Sequence, residues 1–230
     1  SITVPEPFVG VSAGKLVSRT SAEGLTTTRF TMDAPAASYL TTIAIGDYVM
    51  TKDKSASGVP IRYWTPRGDK SSLRALKQTP KILDWMESKL GSYPFSTLGS
   101  VVVPSSTAIE TQTMITYGNT EYALSRSTIA HELAHHWYGN NVTPSDWRDM
   151  WMNEGMATYL EMVWRAENSS TALERLLDDV RDREQVSRAE HGPAANYDPR
   201  SFAAPNVYYS PALMWHEART QMGDAAFWQM

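Results

Sequence analysis

The stretch HELAHHWYGNNVTPSDWRDMWMNE at 131–154 decides how the chain is read. It places His131 and His135 four positions apart, Glu132 beside the first, and Glu154 nineteen positions beyond the second. On a helix, residues i and i+4 lie on one face, so both imidazoles can address a single ion. Glu132 sits about 100° round the helix from His131, placed for a general base and not for a ligand. This is the pattern of a zinc-dependent hydrolase. Catalytic zinc keeps three protein ligands and a fourth position for water, whose pKa it lowers to about 7.

Glu154 is the candidate third ligand, completing a His2Glu set. A helix beginning near Asn153 would present it in the first turn, where the dipole also favours a carboxylate and Glu154 could be only a cap. Glu161, two turns further on, competes for the ligand role. Asp146 and Asp149 read as capping residues or supports for the ligands, and His136 as a packing or surface residue.

The rest of the chain bounds the chemistry. Its 230 residues suffice for one large domain or two small ones, with 42% hydrophobic and 20% charged residues. A net charge of −4 and the lack of any Lys/Arg run argue against nucleic acid or an anionic membrane surface. With no cysteine, any metal must sit on histidine and carboxylate. No apolar run approaches the roughly 20 residues of a membrane span. The expected protein is soluble, cytoplasmic or secreted. Met230 falls inside an expected helix, so a fragment is expected.

The first fifty residues read as β-rich, with strands at 25–32 and 39–50 and turns at Gly10, Gly14 and Gly24. The polar run DKSASG at 53–58 is a candidate boundary, dividing the chain into 1–52 and 53–230. Strands are expected at 61–64, 100–103 and 108–117. A helix should start with Thr79 as N-cap and Pro80 at its first position, bury Ile82, Leu83, Met86 and Leu90, and stop at Gly91. Helices are expected at 125–138, 154–167 and 171–188, the last with a capping box of Thr171 and Glu174, and from Ala212 onward.

HELAHHWYGN followed by Glu154 within WMNEGMATYLE resembles the gluzincin metallopeptidases of the aminopeptidase N and leukotriene hydrolase family. The eighteen residues between His135 and Glu154 match that family's spacing, GSYPF at 91–95 is similar to its GxYPF turn, and YLTTIAIGDY at 39–48 to the end of its N-terminal β-domain. The resemblance implies an α+β fold. A thermolysin-like zinc peptidase domain, with a small mixed sheet and a mainly helical half at 53–230, would follow the end of a β-sandwich domain at 1–52. It also implies one zinc ion, peptide substrates, and further β and helical domains packing on this chain.

Two more motifs carry over with changes. TAIET at 107–111 stands where the family has GxMEN, with Glu110 at the position of the glutamate that binds a substrate's free α-amine. A carboxylate facing an ammonium fixes which end of a peptide enters. The edge strand at 108–113, including Ala108, would pair with the peptide backbone. VYYSPAL at 207–213 aligns Tyr208 with the family's oxyanion-donating tyrosine, Tyr209 being the alternative. The implied activity is removal of N-terminal residues by a zinc-activated water, with Glu132 as base. A zinc endopeptidase, an epoxide hydrolase on the same site and a noncatalytic peptide-binding relative stay open. Met114, Tyr117 and Met156 are candidates for the pocket wall or for the core.

Overall fold

A computed structural model describes residues 1–201 and 203–230. The fold is α+β, built on a five-stranded mixed sheet in the order β6-β7-β8-β10-β9. Before it come β1 (Ile2–Pro5), β2 (Val9–Ser12), β3 (Lys15–Ala22), β4 (Leu25–Thr31) and β5 (Ile43–Gly46). They form a three-stranded antiparallel sheet, β1-β4-β3, and the pair β2-β5. Gly10 lies inside β2 and makes no turn; a Cβ there would come within 2.2 Å of Ile2 Cγ2. The strand expected at 39–50 is broken in two. After β5 the chain turns at Asp47, whose carboxylate holds Arg67, and enters β6 (Tyr48–Lys54). The expected division after residue 52 falls within β6, whose ladder to β7 (Pro60–Pro66) runs on both sides of it.

Next come α1 (Lys70–Leu76), which the sequence reading missed, and α2 (Thr79–Leu90), capped at Gln78 and not Thr79. Then follow β8 (Leu98–Val103), β9 (Ala108–Ile109) and β10 (Ile115–Gly118). The strand expected at 108–117 is thus a β9-β10 hairpin. The residues between cannot stay extended: Thr113 has φ +63°, and Gln112 N donates to Leu40 O at 2.9 Å. Parallel pairing of β7 with β8 and of β8 with β10 puts β8 at the centre.

Alternation sorts the sheet's two faces. Ile61, Tyr63, Leu98, Val102, Ile115 and Tyr117 pack toward the helices, and Trp64, Val101 and Met114 toward Val9, Val11 and Ala44. Burying both faces explains why β8 reads LGSVVV with almost no exposed position. Met114, Tyr117 and Met156 belong to these cores.

The helical half comprises α3 (Arg126–Ala134), α4 (Met150–Arg165), α5 (Ser170–His191), α6 (Asn206–Met222) and α7 (Asp224–Phe227). α3 is shorter than expected because the chain tightens into turns after Ala134, with His136 N bonding Leu133 O. Helix α5 is capped by Ser169, which accepts from Ala172 N, so Thr171 and Glu174 form no capping box. Helix α6 starts six residues before the expected Ala212 and contains Pro211. Pro211 has no N–H to give the preceding turn, and contact with α4 holds the helix there. A Cβ on Gly155 would lie 2.3 Å from Pro211 Cβ. Gly155→Ala is therefore expected to destabilise the fold by about 1–3 kcal/mol through overpacking, read as a lower urea midpoint at unchanged m-value.

Candidate metal centre

Helix α3 is anchored by Ser125, whose hydroxyl accepts from Thr128 N at 3.2 Å, and by buried Ile129, Ala130, Leu133 and Ala134. That burial turns His131 and Glu132 toward a cleft of about 590 Å³, also lined by Ala108, Glu161, Tyr208 and Tyr209. His135 is the C-cap residue, still in helical geometry, so it keeps the i, i+4 relation to His131. Beyond it the chain reverses at Gly139 (φ +137°), where a Cβ would crowd His135 O at 3.3 Å and His135 Nδ1 at 3.4 Å. Glu154 lies one full turn inside α4, not in its first turn, because α4 already starts at Met150. Asp146 caps the 3₁₀ turn before α4 by accepting from Arg148 N, and Asp149 is the residue preceding α4.

Three donor atoms converge. His131 Nε2 lies 3.2 Å from Glu154 Oε2, His135 Nε2 lies 3.3 Å from the same oxygen, and the two nitrogens are 3.1 Å apart. Tetrahedral zinc with bonds of 2.0–2.1 Å separates its ligands by roughly 3.3–3.4 Å. The other ring nitrogens have acceptors of their own: His135 Nδ1 faces Tyr138 O at 3.1 Å, and His131 Nδ1 faces Glu161 Oε2 at 3.6 Å. With Nδ1–H directed at those acceptors, both Nε2 lone pairs and the carboxylate oxygen point at one place. Three acceptors aimed at one point call for a cation, and the residues fit zinc. Glu161 stands on the far side of the His131 ring, which makes it the ring's partner and not a rival ligand.

The field in the cleft says the same. Burial alone would lower both imidazoles, yet Glu154 and Glu161 hold His131 well above its usual value. His135 is likewise raised, to about 9, chiefly by Glu154 and Glu110. Burial raises Glu132 to about 7, against the pull of His131 and His135 and with the help of Glu110 and Glu154. Burial opposes ionisation of Glu154, but the two imidazoles hold it well below the usual carboxylate range.

The two adjacent tyrosines separate. Tyr208 stacks on His131 with ring centroids 6.1 Å apart and planes 25° apart, whereas Tyr209 lies near the Arg183 guanidinium. Burial, with the charges of Glu154, Glu132 and Glu110, raises the Tyr208 phenol and keeps it a donor. Glu110 lies between β9 and β10; its charge is felt by Glu132, His135 and Tyr208, and its backbone oxygen accepts from Asn140 Nδ2 at 2.8 Å. His136 is fully buried with Nδ1 2.7 Å from Tyr93 Oη, a packing role that ties the GSYPF turn to α3. Burial and the neighbouring His135 push His136 down to about 3, so it stays neutral. The sequence reading missed Tyr138 O, a backbone atom without a signature. It also missed Glu161 as a partner of His131, although seven residues from Glu154 is two turns on one face.

Residues 74–199 match the peptidase family M1 domain. Endoplasmic reticulum aminopeptidase 2 of Bos taurus is 33% identical over 156 residues, 61% of this chain and 16% of that protein. Glutamyl aminopeptidase of Homo sapiens is 30% identical over 180 residues, 71% of this chain and 19% of that protein. A Deinococcus radiodurans M1 zinc metallopeptidase variant, bound to a Tyr-Ser-Ala substrate, superposes with a TM-score of 0.87 at 28% identity, covering 99% of this chain and 53% of that one. The chain thus spans less than a fifth of these curated relatives and about half of the solved enzyme. A family match over more than half of the residues, with likeness to a solved member along nearly the whole chain, leads to one conclusion: the chain belongs to peptidase family M1.

Proposed function

We propose that this chain carries the catalytic centre of a zinc aminopeptidase, acting on peptides with a free N-terminus. The observation that carries the reading is the triangle of His131 Nε2, His135 Nε2 and Glu154 Oε2 with Glu132 buried beside it. These three residues would hold one zinc ion, which when bound supplies Lewis acidity to the scissile carbonyl and to water. Glu132, raised toward neutrality, takes a proton from the attacking water and returns it to the leaving amine. Tyr208, kept protonated, donates to the oxyanion as the carbonyl becomes tetrahedral. Glu110 anchors the N-terminal ammonium. Edge strand β9, with Ala108 in the cleft wall, offers backbone to the substrate. Relatives named aminopeptidases, and a family member solved with a tripeptide, support peptide substrates. Exposed Ile43 and Ile45 on β5 offer an apolar face to further β-structure. Among the described residues no helix is long and apolar enough to cross a membrane.

The test uses the full-length protein, its zinc content and a set of aminoacyl fluorogenic amides. Metal analysis should give about one zinc per chain, and Glu132→Gln should keep the metal while losing about 10²–10⁴-fold in kcat. Near-wild-type turnover in that variant would sink the mechanism. Tyr208→Phe should lower kcat by about 10²–10³-fold with little change in KM, while Tyr209→Phe stays close to wild type. Glu161→Gln should weaken zinc binding by roughly 10–100-fold in a chelator competition, because the His131 ring loses its partner. An N-acetylated peptide cleaved as fast as the free one would remove Glu110 from its role.

A further inference from the structure

The cleft continues past the metal donors on one side only. His131 lines it, whereas His135 and Glu154 do not, and its further wall includes Ser127, Glu161, Arg165 and Arg183. Glu110 is tied to the His135 side: its backbone oxygen accepts from Asn140 Nδ2 at 2.8 Å, and Asn140 N donates to His135 O at 3.0 Å. A peptide with its amine at Glu110 and its scissile carbonyl at the metal therefore sends its leaving part past His131 into the cleft.

Arg165 stands on that path. Glu154, Thr158, Glu161 and Arg165 follow one another at spacings of four, three and four, along one face of α4. A single carboxylate separates Arg165 from the metal-binding ring. Glu161 Oε2 lies 3.6 Å from His131 Nδ1, and Glu161 Oε1 accepts from Arg165 Nη1 at 3.4 Å. The contact is long, and the second Glu161 oxygen is turned to His131, so the fork of Arg165 has no bidentate partner among the described residues. An i, i+4 pair with its arginine 44% exposed holds the guanidinium weakly. Arg183, the other guanidinium in the wall, has a carboxylate to itself, Asp179 at 3.0 Å. An extended chain advances about 3.3–3.6 Å per residue, so a carboxylate one or two residues beyond the scissile bond comes level with Arg165.

We propose that Arg165 is a substrate-binding residue: its guanidinium receives a carboxylate on the leaving part of the peptide. That carboxylate is the C-terminus of a short peptide or an acidic side chain directly after the scissile bond. The inference rests on the reading of this centre as a zinc aminopeptidase with Glu110 at the amine end. Glu161 engages one nitrogen of the guanidinium and leaves the rest of the fork for the incoming carboxylate.

The experiment is isothermal titration of zinc-loaded full-length protein carrying Glu132→Gln, so that peptides survive, with and without Arg165→Gln. The probes are Tyr-Ser-Ala, Tyr-Ser-Ala amide and Tyr-Asp-Ala amide, which offer a C-terminal carboxylate, no carboxylate and a side-chain carboxylate. The expected result is affinity at least about tenfold lower for one or both acidic probes, and less than about twofold lower for the neutral amide. The probe that responds identifies the carboxylate. Arg165→Lys, which keeps the charge but not the fork, should fall between parent and Arg165→Gln. Unchanged affinity for both acidic probes overturns the inference. So does an equal loss for all three, or a loss of zinc, since Arg165 then acts through Glu161 and His131. An equal charge-specific loss in Arg183→Gln also overturns it, assigning the effect to the general field of the cleft. If the protein with Glu132 intact hydrolyses none of the three peptides, the aminopeptidase reading fails first. Hydrolysis of all three, with binding indifferent to Arg165, removes only the role of Arg165.

Discussion

Two imidazole nitrogens and a carboxylate oxygen meet at one point with two further carboxylates close by, an arrangement that holds together only with positive charge among them. Each buried carboxylate carries a desolvation cost of several kcal/mol unless positive charge compensates it. The imidazoles of His131 and His135 supply some, which is why the surrounding glutamates raise both so strongly. A divalent cation supplies more, and displaces the protons that otherwise occupy the same nitrogens. The rest of the structure keeps these groups from separating. Tyr138 O and Glu161 fix which nitrogen of each ring faces inward.

That demand explains packing which otherwise looks arbitrary. Helix α3 is held by the sheet through Ile129 and Leu133, whereas α4 is placed mainly by α6. Gly155 of α4 packs against Pro211 of α6 with no room for a Cβ at 155. Gly155 follows Glu154 directly, and Pro211 lies three residues after Tyr208. This contact between Gly155 and the Pro211 ring therefore helps set Glu154 and Tyr208 relative to each other. A side chain at 155 would shift Glu154 and Tyr208 relative to each other, beyond its effect on stability.

What could be read from the sequence follows the range of the interactions involved. His131, Glu132 and His135 were legible because helical geometry relates them within four residues. Glu154 was legible by spacing alone. The expected first-turn placement was wrong, since the 3₁₀ turn at Trp147–Asp149 lets α4 begin at Met150. The loop between β9 and β10 was read as strand because TAIETQTMITY has strand composition. Its shape is imposed by residues 35–42, more than seventy positions away, and no local pattern reports that. Nothing local places the start of helix α6 before Pro211, since proline usually ends a helix. Contact with Gly155, distant in sequence, is what accommodates it. The sheet's helix-facing side was legible only in part, since β8 is buried on both faces and shows no alternation.

The same division of range separates chemistry from selectivity. His131, Glu132, His135 and Glu154 come from α3, its C-cap and α4 within one continuous stretch. Glu110 instead sits in the β9-β10 loop, which is bonded to residues 35–42 and to Gly14. Its flanking residues can vary, as TAIET does against the family's GxMEN, while Glu110 stays within electrostatic reach of Glu132 and Tyr208. Loop position is held here by backbone bonds to residues 35–42 and by Thr113 Oγ1, which accepts from Gly14 N at 2.7 Å. On the loop these bonds use Gln112, Thr113 and Thr116, which lie outside TAIET at 107–111. The altered residues of TAIET therefore leave the hold on this loop untouched, because the segments that position it, at Gly14 and at 35–42, bond to residues beyond the motif.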